Sequence, residues 1–314
     1  MIERTEAEIM KNWKGDISKP VASICTMTYN LEKYVSEALD SLLMQETDFP
    51  FEMVIDDDCS SDRTVEIIKQ YVEKFPNIIN VNFRKKNVGM RMNFVKNMQR
   101  ANGKYIALCD GDDYWTDPLK LQKQVDFLEK NDEYVLTHAP LEPLYEEGST
   151  KRTFNWSNED RDALELQKTF LGTGTCVACF RNIDILKDYP NEYHCSPLND
   201  NFFWSLVGAY GKSKFLGDIK VTKYRQHAGG DYTTKSQKEK VLMHQQTFLA
   251  LYVYYLRIGN IPLSEYFYKQ SVEYSFVLYG RSFYVKMLSK SFMDQGIRFL
   301  KGMILKVLRV LKIR

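Results

Sequence analysis

The chain has 314 residues, a formal net charge of +2, 27% charged residues and 44% hydrophobic ones. That length allows one large domain, or one domain with an appendage. The near-balanced charge excludes a general nucleic-acid binder, which would carry a strong basic excess.

The opening MIERTEAEIMKNWKGDISKP has no apolar core flanked by a cleavage site, so no secretory signal is expected there, and residues 1–17 read as a helical arm. From Pro20 onward strand-like and helix-like stretches alternate. VASICTM is the first strand. Val35, Ala38, Leu39 and Leu42 then recur at helical spacing. FEMVI is the second strand, followed by a helix marked by Val65, Ile68, Tyr71, Val72 and Phe75, with Asp62 as its N-cap. IINVNF is the third strand, Met90 to Ala101 a helix and KYIALC the fourth strand. Asp117-Pro118 reads as an N-cap with Pro at the first helical position; Leu121, Val125 and Leu128 carry that helix on, and YVLTH is the fifth strand. Such alternation predicts an α/β fold, a mainly parallel sheet flanked by helices. Residues Leu141 to Tyr232 are more irregular. From about Thr233 the chain reads as helical and Tyr-rich.

In open sheets of this kind, ligands bind beyond the carboxyl ends of the strands. Two acidic clusters fall there. Asp56, Asp57 and Asp58 follow the second strand, and Asp110, Asp112 and Asp113 follow the fourth. Carboxylate oxygens suit hard divalent cations such as Mg2+ or Mn2+, which can offset the charge of a diphosphate leaving group. The competing reading is a solvated acidic turn capping the next helix. An EF-hand starting at Asp110 is excluded, because Trp115 and Leu121 stand where Gly and Glu are required. The Walker and G-x-G-x-x-G phosphate loops are absent.

SICTMTYN, DDDCSSDRT, NVGMRMNF and CDGDDYWTDPLKLQKQVDFL, with YRQHAGG further on, stand in the order and spacing of family 2 glycosyltransferases, which the chain resembles over roughly Val21 to Tyr232. The resemblance implies a GT-A (Rossmann-like) fold and a nucleotide-diphosphate sugar as donor, most readily a UDP-sugar. It also implies a divalent metal (Mn2+ or Mg2+) and inverting transfer to a hydroxyl of a saccharide or lipid-linked acceptor in surface polysaccharide or glycolipid synthesis. It would place Thr28 and Tyr29 in the nucleotide pocket and Asp58 on the base. Asp110 and Asp112 would form the DxD at diphosphate and metal, with Asp113 beside them, and His227 would approach the diphosphate or metal. Met27 stands where Pro is common, and the residue before Asp57 is a further Asp. Inverting transfer needs a carboxylate to take the acceptor proton. LNDNFFWSLVGAYGK offers Asp200 as that base, opening a helix that continues through Phe203, Leu206, Val207 and Tyr210; Asp200 or Asn199 as a plain N-cap is the alternative. Tyr114 and Trp115 could stack on an acceptor sugar or pack under the loop. Asn87, Gly89 and Asn93 shape the turn before a helix. Rival readings are a nucleotidyltransferase, disfavoured by the lack of Gly in VASICTMTYN, and a non-catalytic sugar-nucleotide or glycan-binding module.

The expected organisation is the arm (1–17), a catalytic domain (18–232) and a helical extension (233–314). The catalytic domain would divide into a donor half of about 18–138 and an acceptor half of about 139–232. In the last stretch, Arg298, Lys301, Lys306, Arg309 and Lys312 share one helical face, opposite a mostly apolar one. That pattern fits either peripheral contact with the inner face of a membrane or packing on protein, possible oligomers included. Six scattered cysteines read as free thiols in a reducing cytoplasm, because the single CxxC (Cys176, Cys179) lacks a second pair for zinc.

Overall fold

The structure is a computed structural model that describes residues 2–146, 156–227 and 235–280. Within these residues the chain packs as two units, one of 2–188 and 204–227, the other of 189–203 and 235–280.

The first unit is built on a seven-stranded sheet. Its strands are β1 (Ala22–Thr28), β2 (Phe51–Asp57), β3 (Ile79–Phe83), β4 (Tyr105–Leu108), β5 (Tyr134–His138), β7 (Cys179–Arg181) and β8 (Lys212–Phe215), in the order β3-β2-β1-β4-β7-β5-β8. The β3-β2-β1-β4 block is parallel; β7 lies antiparallel between β4 and β5, and β8 runs parallel to β5. A separate parallel pair joins β6 (Leu141–Tyr145) to β9 (Thr222–Gln226). The helices are α1 (Glu6–Met10), α2 (Val35–Leu43), α3 (Thr64–Lys74), α4 (Met90–Arg100), α5 (Lys120–Lys130) and α6 (Ala163–Thr169). The apolar stripe of α2, Val35, Ala38, Leu39 and Leu42, is buried, as its spacing requires. A core of Ile24, Met53, Ile55, Ala107, Leu121 and Val125 fills the space between sheet and helices.

The expected strands and the helices between them all form, with shifts that have physical causes. β2 runs on through Asp56 and Asp57, because hydrogen bonds and ion pairs satisfy their carboxylates. Asp117 does not cap a helix opening at Pro118. Helix α5 starts at Lys120, and Asp117 instead accepts the Leu119 amide (3.0 Å) and, across the fold, the Lys220 amide (3.0 Å). Asp62 sits one residue before the cap of α3 and accepts both the amide (3.0 Å) and the hydroxyl (2.5 Å) of Thr64.

The second unit contains α8 (Gln237–Arg257) and α9 (Ile261–Tyr279), while α7 (Asn199–Val207) opens in it and ends in the first unit. A capping box of Ser236 and Glu239 starts α8, and the Asn260 side chain caps α9. The turn between them passes through Gly259 at φ 78, which a side chain would resist. Tyr255 and Phe267 stack at 5.6 Å across the helix pair. No helix among the described residues is long and apolar enough to cross a membrane. The basic amphipathic stretch from Gly296 onward lies outside the described residues.

Candidate active site

Strand order reverses at β1, which has β2 on one side and β4 on the other; the crevice at such a switch point is where open α/β sheets bind ligands. The acidic clusters stand at this crevice, and the structure sorts them residue by residue.

Asp56 is fully buried and takes Arg84 and Arg100, each at 2.6 Å, with Asn82 (2.7 Å) and Asn97 (2.9 Å) adding amide donors. Its charge is matched inside the fold. Asp57 accepts the hydroxyls of Thr28 (2.9 Å) and Ser60 (2.5 Å) and the Ser60 amide. Asp58 holds the backbone amides of Val88 (2.8 Å) and Gly89 (2.9 Å), one on each oxygen. The residue expected on the base therefore anchors the Asn87–Gly89 loop. The Asn87 side chain also accepts the Gly89 amide, and Asn93 bonds Arg84 and the Asp56 carbonyl. Thr28 is buried with its hydroxyl on Asp57, whereas Tyr29 is 50% exposed on the rim.

The loop after β4 is tied to β1 by the Cys109 amide on the Cys25 carbonyl (3.2 Å) and the Gly111 amide on the Met27 carbonyl (3.0 Å). Gly111 is obligatory here. A Cβ at this position would lie 2.6 Å from Thr28 Cγ2 and 3.1 Å from Leu31 Cδ1. Asp110 Oδ1 is buried with no hydrogen-bond partner among the described residues. Desolvation and the neighbouring Asp112 charge push the Asp110 pKa up to about 7. Such a shift marks a carboxylate without a counter-charge. Asp112 is more open, and His227 Nε2 lies 3.1 Å from its Oδ2. The Asp112 carbonyl accepts Arg225 Nε–H (2.9 Å). The same Arg225 pairs with Glu37 and Glu146, and its guanidinium lies 4.7 Å from the Tyr34 ring centroid and 5.6 Å from that of Tyr114. Tyr34 also packs on His227 at 5.1 Å. The downstream YRQH stretch thus meets the DxD loop.

Two expected site residues turn inward. Asp113 is buried beneath the loop. Its Oδ1 accepts the Arg225 amide (2.8 Å), so it ties β9 to the loop, and burial with the Asp112 charge raises its pKa well above the carboxylate range. Trp115 is 1% exposed and belongs to the core. Its Nε1–H donates to the Cys176 carbonyl (2.9 Å), its amide to Ser41 Oγ (3.1 Å), and the buried Lys120 ammonium sits 3.9 Å from its ring centroid. A ring closed off in this way has no face for a sugar. Tyr114 is half-buried and its backbone pairs with Lys223.

Asp200 lies in the first turn of α7, which begins at Asn199, so it is not the residue before the helix. It is exposed; one oxygen accepts the Asn201 amide (2.9 Å), and partial desolvation raises its pKa above the ordinary 3.8. All six cysteines are free, and among the described residues no group of three His, Cys, Asp or Glu side chains converges on a metal position. Sequence reasoning missed Glu37 and Glu146 as partners of Arg225. Acidic residues on a helix and at a strand end give no local sign of that role.

The Glycosyl transferase family 2 model matches residues 23–185. An uncharacterized protein of Mycobacterium tuberculosis is 35% identical over 212 residues, 66% of this chain and 59% of that protein. A Bacillus subtilis protein named as a teichuronic acid biosynthesis glycosyltransferase, TuaG, is 39% identical over 119 residues, 38% of this chain and 44% of that protein. The chain thus spans 59% or less of the length of these curated relatives. Among solved structures, S. aureus TarS 1–349 in complex with UDP-GlcNAc superposes with a TM-score of 0.60 at 21% identity, covering 92% of this chain and 82% of that one. That likeness is one of fold. With the family pattern matched over half of the chain, and its motifs gathered on the rim of a sheet of this topology, the protein belongs to glycosyl transferase family 2.

Proposed function

We propose that the protein is an inverting glycosyltransferase that moves a sugar from a UDP-sugar to a hydroxyl of a saccharide or lipid-linked acceptor, in surface polysaccharide or glycolipid synthesis. One observation carries this reading: the partnerless buried oxygen of Asp110 and, beside it in the DxD, the Asp112 carboxylate at the switch-point rim, which His227 meets from the far end of the unit. The UDP-GlcNAc held by TarS and the teichuronic acid role in the TuaG name support the donor and acceptor classes.

The residues fit a divalent cation by their chemistry. The orphaned Asp110 oxygen and the Asp112 carboxylate are hard donors, and His227 lies 3.1 Å from the latter. Asp110 and Asp112 would hold the cation with the donor's phosphates filling the remaining positions, and it would supply positive charge against the leaving diphosphate. The chain's own groups do the rest. The Asp58-anchored loop and Tyr29 shape the nucleotide side of the crevice. Gly111 lets the DxD backbone lie against β1. Arg225, fixed by Glu37 and Glu146, holds the Asp112 backbone in place. Asp200 accepts the acceptor hydroxyl's proton as that oxygen attacks the anomeric carbon.

A thermal-shift panel of UDP, GDP, dTDP and CMP, each with and without Mn2+, tests this reading. At a hundredfold excess over Kd, binding to the native state adds about 2.7 kcal/mol. A Mn2+-dependent shift with UDP supports the proposal. Folded protein that shifts with none of the four points to a non-catalytic module on this fold.

A further inference from the structure

This inference rests on the reading of Asp200 as general base. The chain that leads to Asp200, from Tyr189 on, has little regular structure beyond a single 3₁₀ turn at Tyr193–Cys195. A loop of this kind does not by itself hold a carboxylate to the fraction of an ångström that proton transfer requires. Helix α8 supplies the missing constraint, and it does so at three points.

Glu192 is fully buried, and its two oxygens take Arg257 Nε–H (2.6 Å) and Nη2–H (2.9 Å), a two-point clamp of fixed geometry. Thr247 is fully buried within α8. Its Oγ1 accepts the Leu198 amide (3.1 Å), immediately before α7 opens, and lies 3.0 Å from Ser196 Oγ. Tyr254 packs on Phe202 at 5.7 Å, and Phe202 in turn meets Tyr193 at 5.7 Å. Thr247, Tyr254 and Arg257 are spaced to fall along one side of α8. That side grips the chain before Asp200, at Glu192 and Leu198, and after it, at Phe202.

We infer that Thr247 and Arg257 are positioning residues for the Asp200 carboxylate, and that α8 acts as the splint of the catalytic base. Neither touches the reacting atoms. They fix the register of the first turn of α7, on which the direction of the Asp200 side chain depends.

The test uses the full chain with Thr247→Val, Thr247→Ser, Arg257→Met and Asp200→Asn. The Asp200 carboxyl is titrated by 13C NMR, its signal assigned by its loss in the Asn variant. Release of UDP from UDP-GlcNAc with Mn2+, with water as the acceptor whose proton Asp200 takes, gives kcat and KM. In Thr247→Val and Arg257→Met the Asp200 titration is expected to move toward the ordinary carboxylate value. In the same variants kcat falls about tenfold with KM within about twofold, a cost in keeping with sub-ångström misplacement. Thr247→Ser, which keeps the hydroxyl, restores both. An Asp200 titration unchanged in both Thr247→Val and Arg257→Met overturns the inference, even if these variants melt earlier. Undiminished turnover in Asp200→Asn overturns instead the reading of Asp200 as base, while the titration still decides whether α8 fixes its environment.

Discussion

His138 ends β5 inside the core, against Phe215 at 5.3 Å, and neither ring nitrogen has a hydrogen-bond partner among the described residues. Burial, with the nearby Arg161 charge, lowers its pKa from the ordinary 6.5 to about 4. The sign of the linkage follows. Between pH 6.5 and about 4 the unfolded chain binds a proton that the native state refuses, so stability is full above pH 6.5 and falls as the pH drops toward 4. At about 1.4 kcal/mol per pH unit the loss totals about 3 kcal/mol, a large part of a typical net stability. His138→Leu removes this proton site while keeping an apolar filler. Urea titrations at pH 7.5, 6, 5 and 4.5 would show the wild type losing about 2.5 kcal/mol more than the variant across that range, with equal m-values. At pH 7.5 the variant is expected to match the wild type or exceed it, because two unpaired nitrogens are gone. Parallel pH curves for the two proteins would refute the argument, since they would place the acid sensitivity elsewhere.

Asp110 titrates in the opposite sense: its raised pKa means that stability is full below pH 3.8 and is lost as the pH rises through about 7. In chelator at pH 8, Asp110→Asn is therefore expected to stabilise the protein by about 1–2 kcal/mol, allowing for the partial exposure of the residue, and to abolish transfer; a lower melting point than wild type would count against this. Asp56→Ala leaves Arg84 and Arg100 without their buried partner and should cost about 3–5 kcal/mol by urea denaturation, whereas a loss below about 1 kcal/mol would mean that the ion pairs are not what holds the end of β2. Trp115→Phe is expected to lose about 1–3 kcal/mol through its hydrogen bond and packing, leaving acceptor KM unchanged in steady-state kinetics; a selective rise in KM would restore the acceptor-stacking role.

The fold of residues 18–138 was legible because its strands are continuous apolar runs and its helices carry long stripes, the pattern of a sheet covered on both faces. β7 escaped notice. It is three residues long, pairs antiparallel and sits in a Gly-rich stretch, so no period can register. β6 and β9 pair across the middle of the chain, which no local signal encodes. Within the candidate site, the sequence placed the carboxylates at the ends of β2 and β4, where they stand, but could not rank them. Asp56, Asp57 and Asp58 are the same residue in a row, and only partners drawn from α4, β1 and the Asn87–Gly89 loop make one a core ion-pair hub, one a brace and one a loop anchor. Trp115 illustrates the same limit: aromatic identity is compatible with a sugar platform or a core plug, and the Cys176 carbonyl that decides between them is distant in sequence.

The anchoring of the DxD loop by Arg225 and His227, more than a hundred residues downstream, has a consequence for the order in which the protein is made. Strands β1 to β4 can pair as they leave the ribosome, and β5 joins the sheet once β7 and β8 follow, but the loop cannot reach its final shape until β9 arrives. Long loop closure is also slow relative to local pairing. Competence to bind a nucleotide should thus be acquired last, after most secondary structure, and refolding followed in parallel by far-UV dichroism and UDP binding would show that lag. A nascent chain broken off before β9 would carry the sheet without a working rim, and so would not sequester the cell's activated sugars.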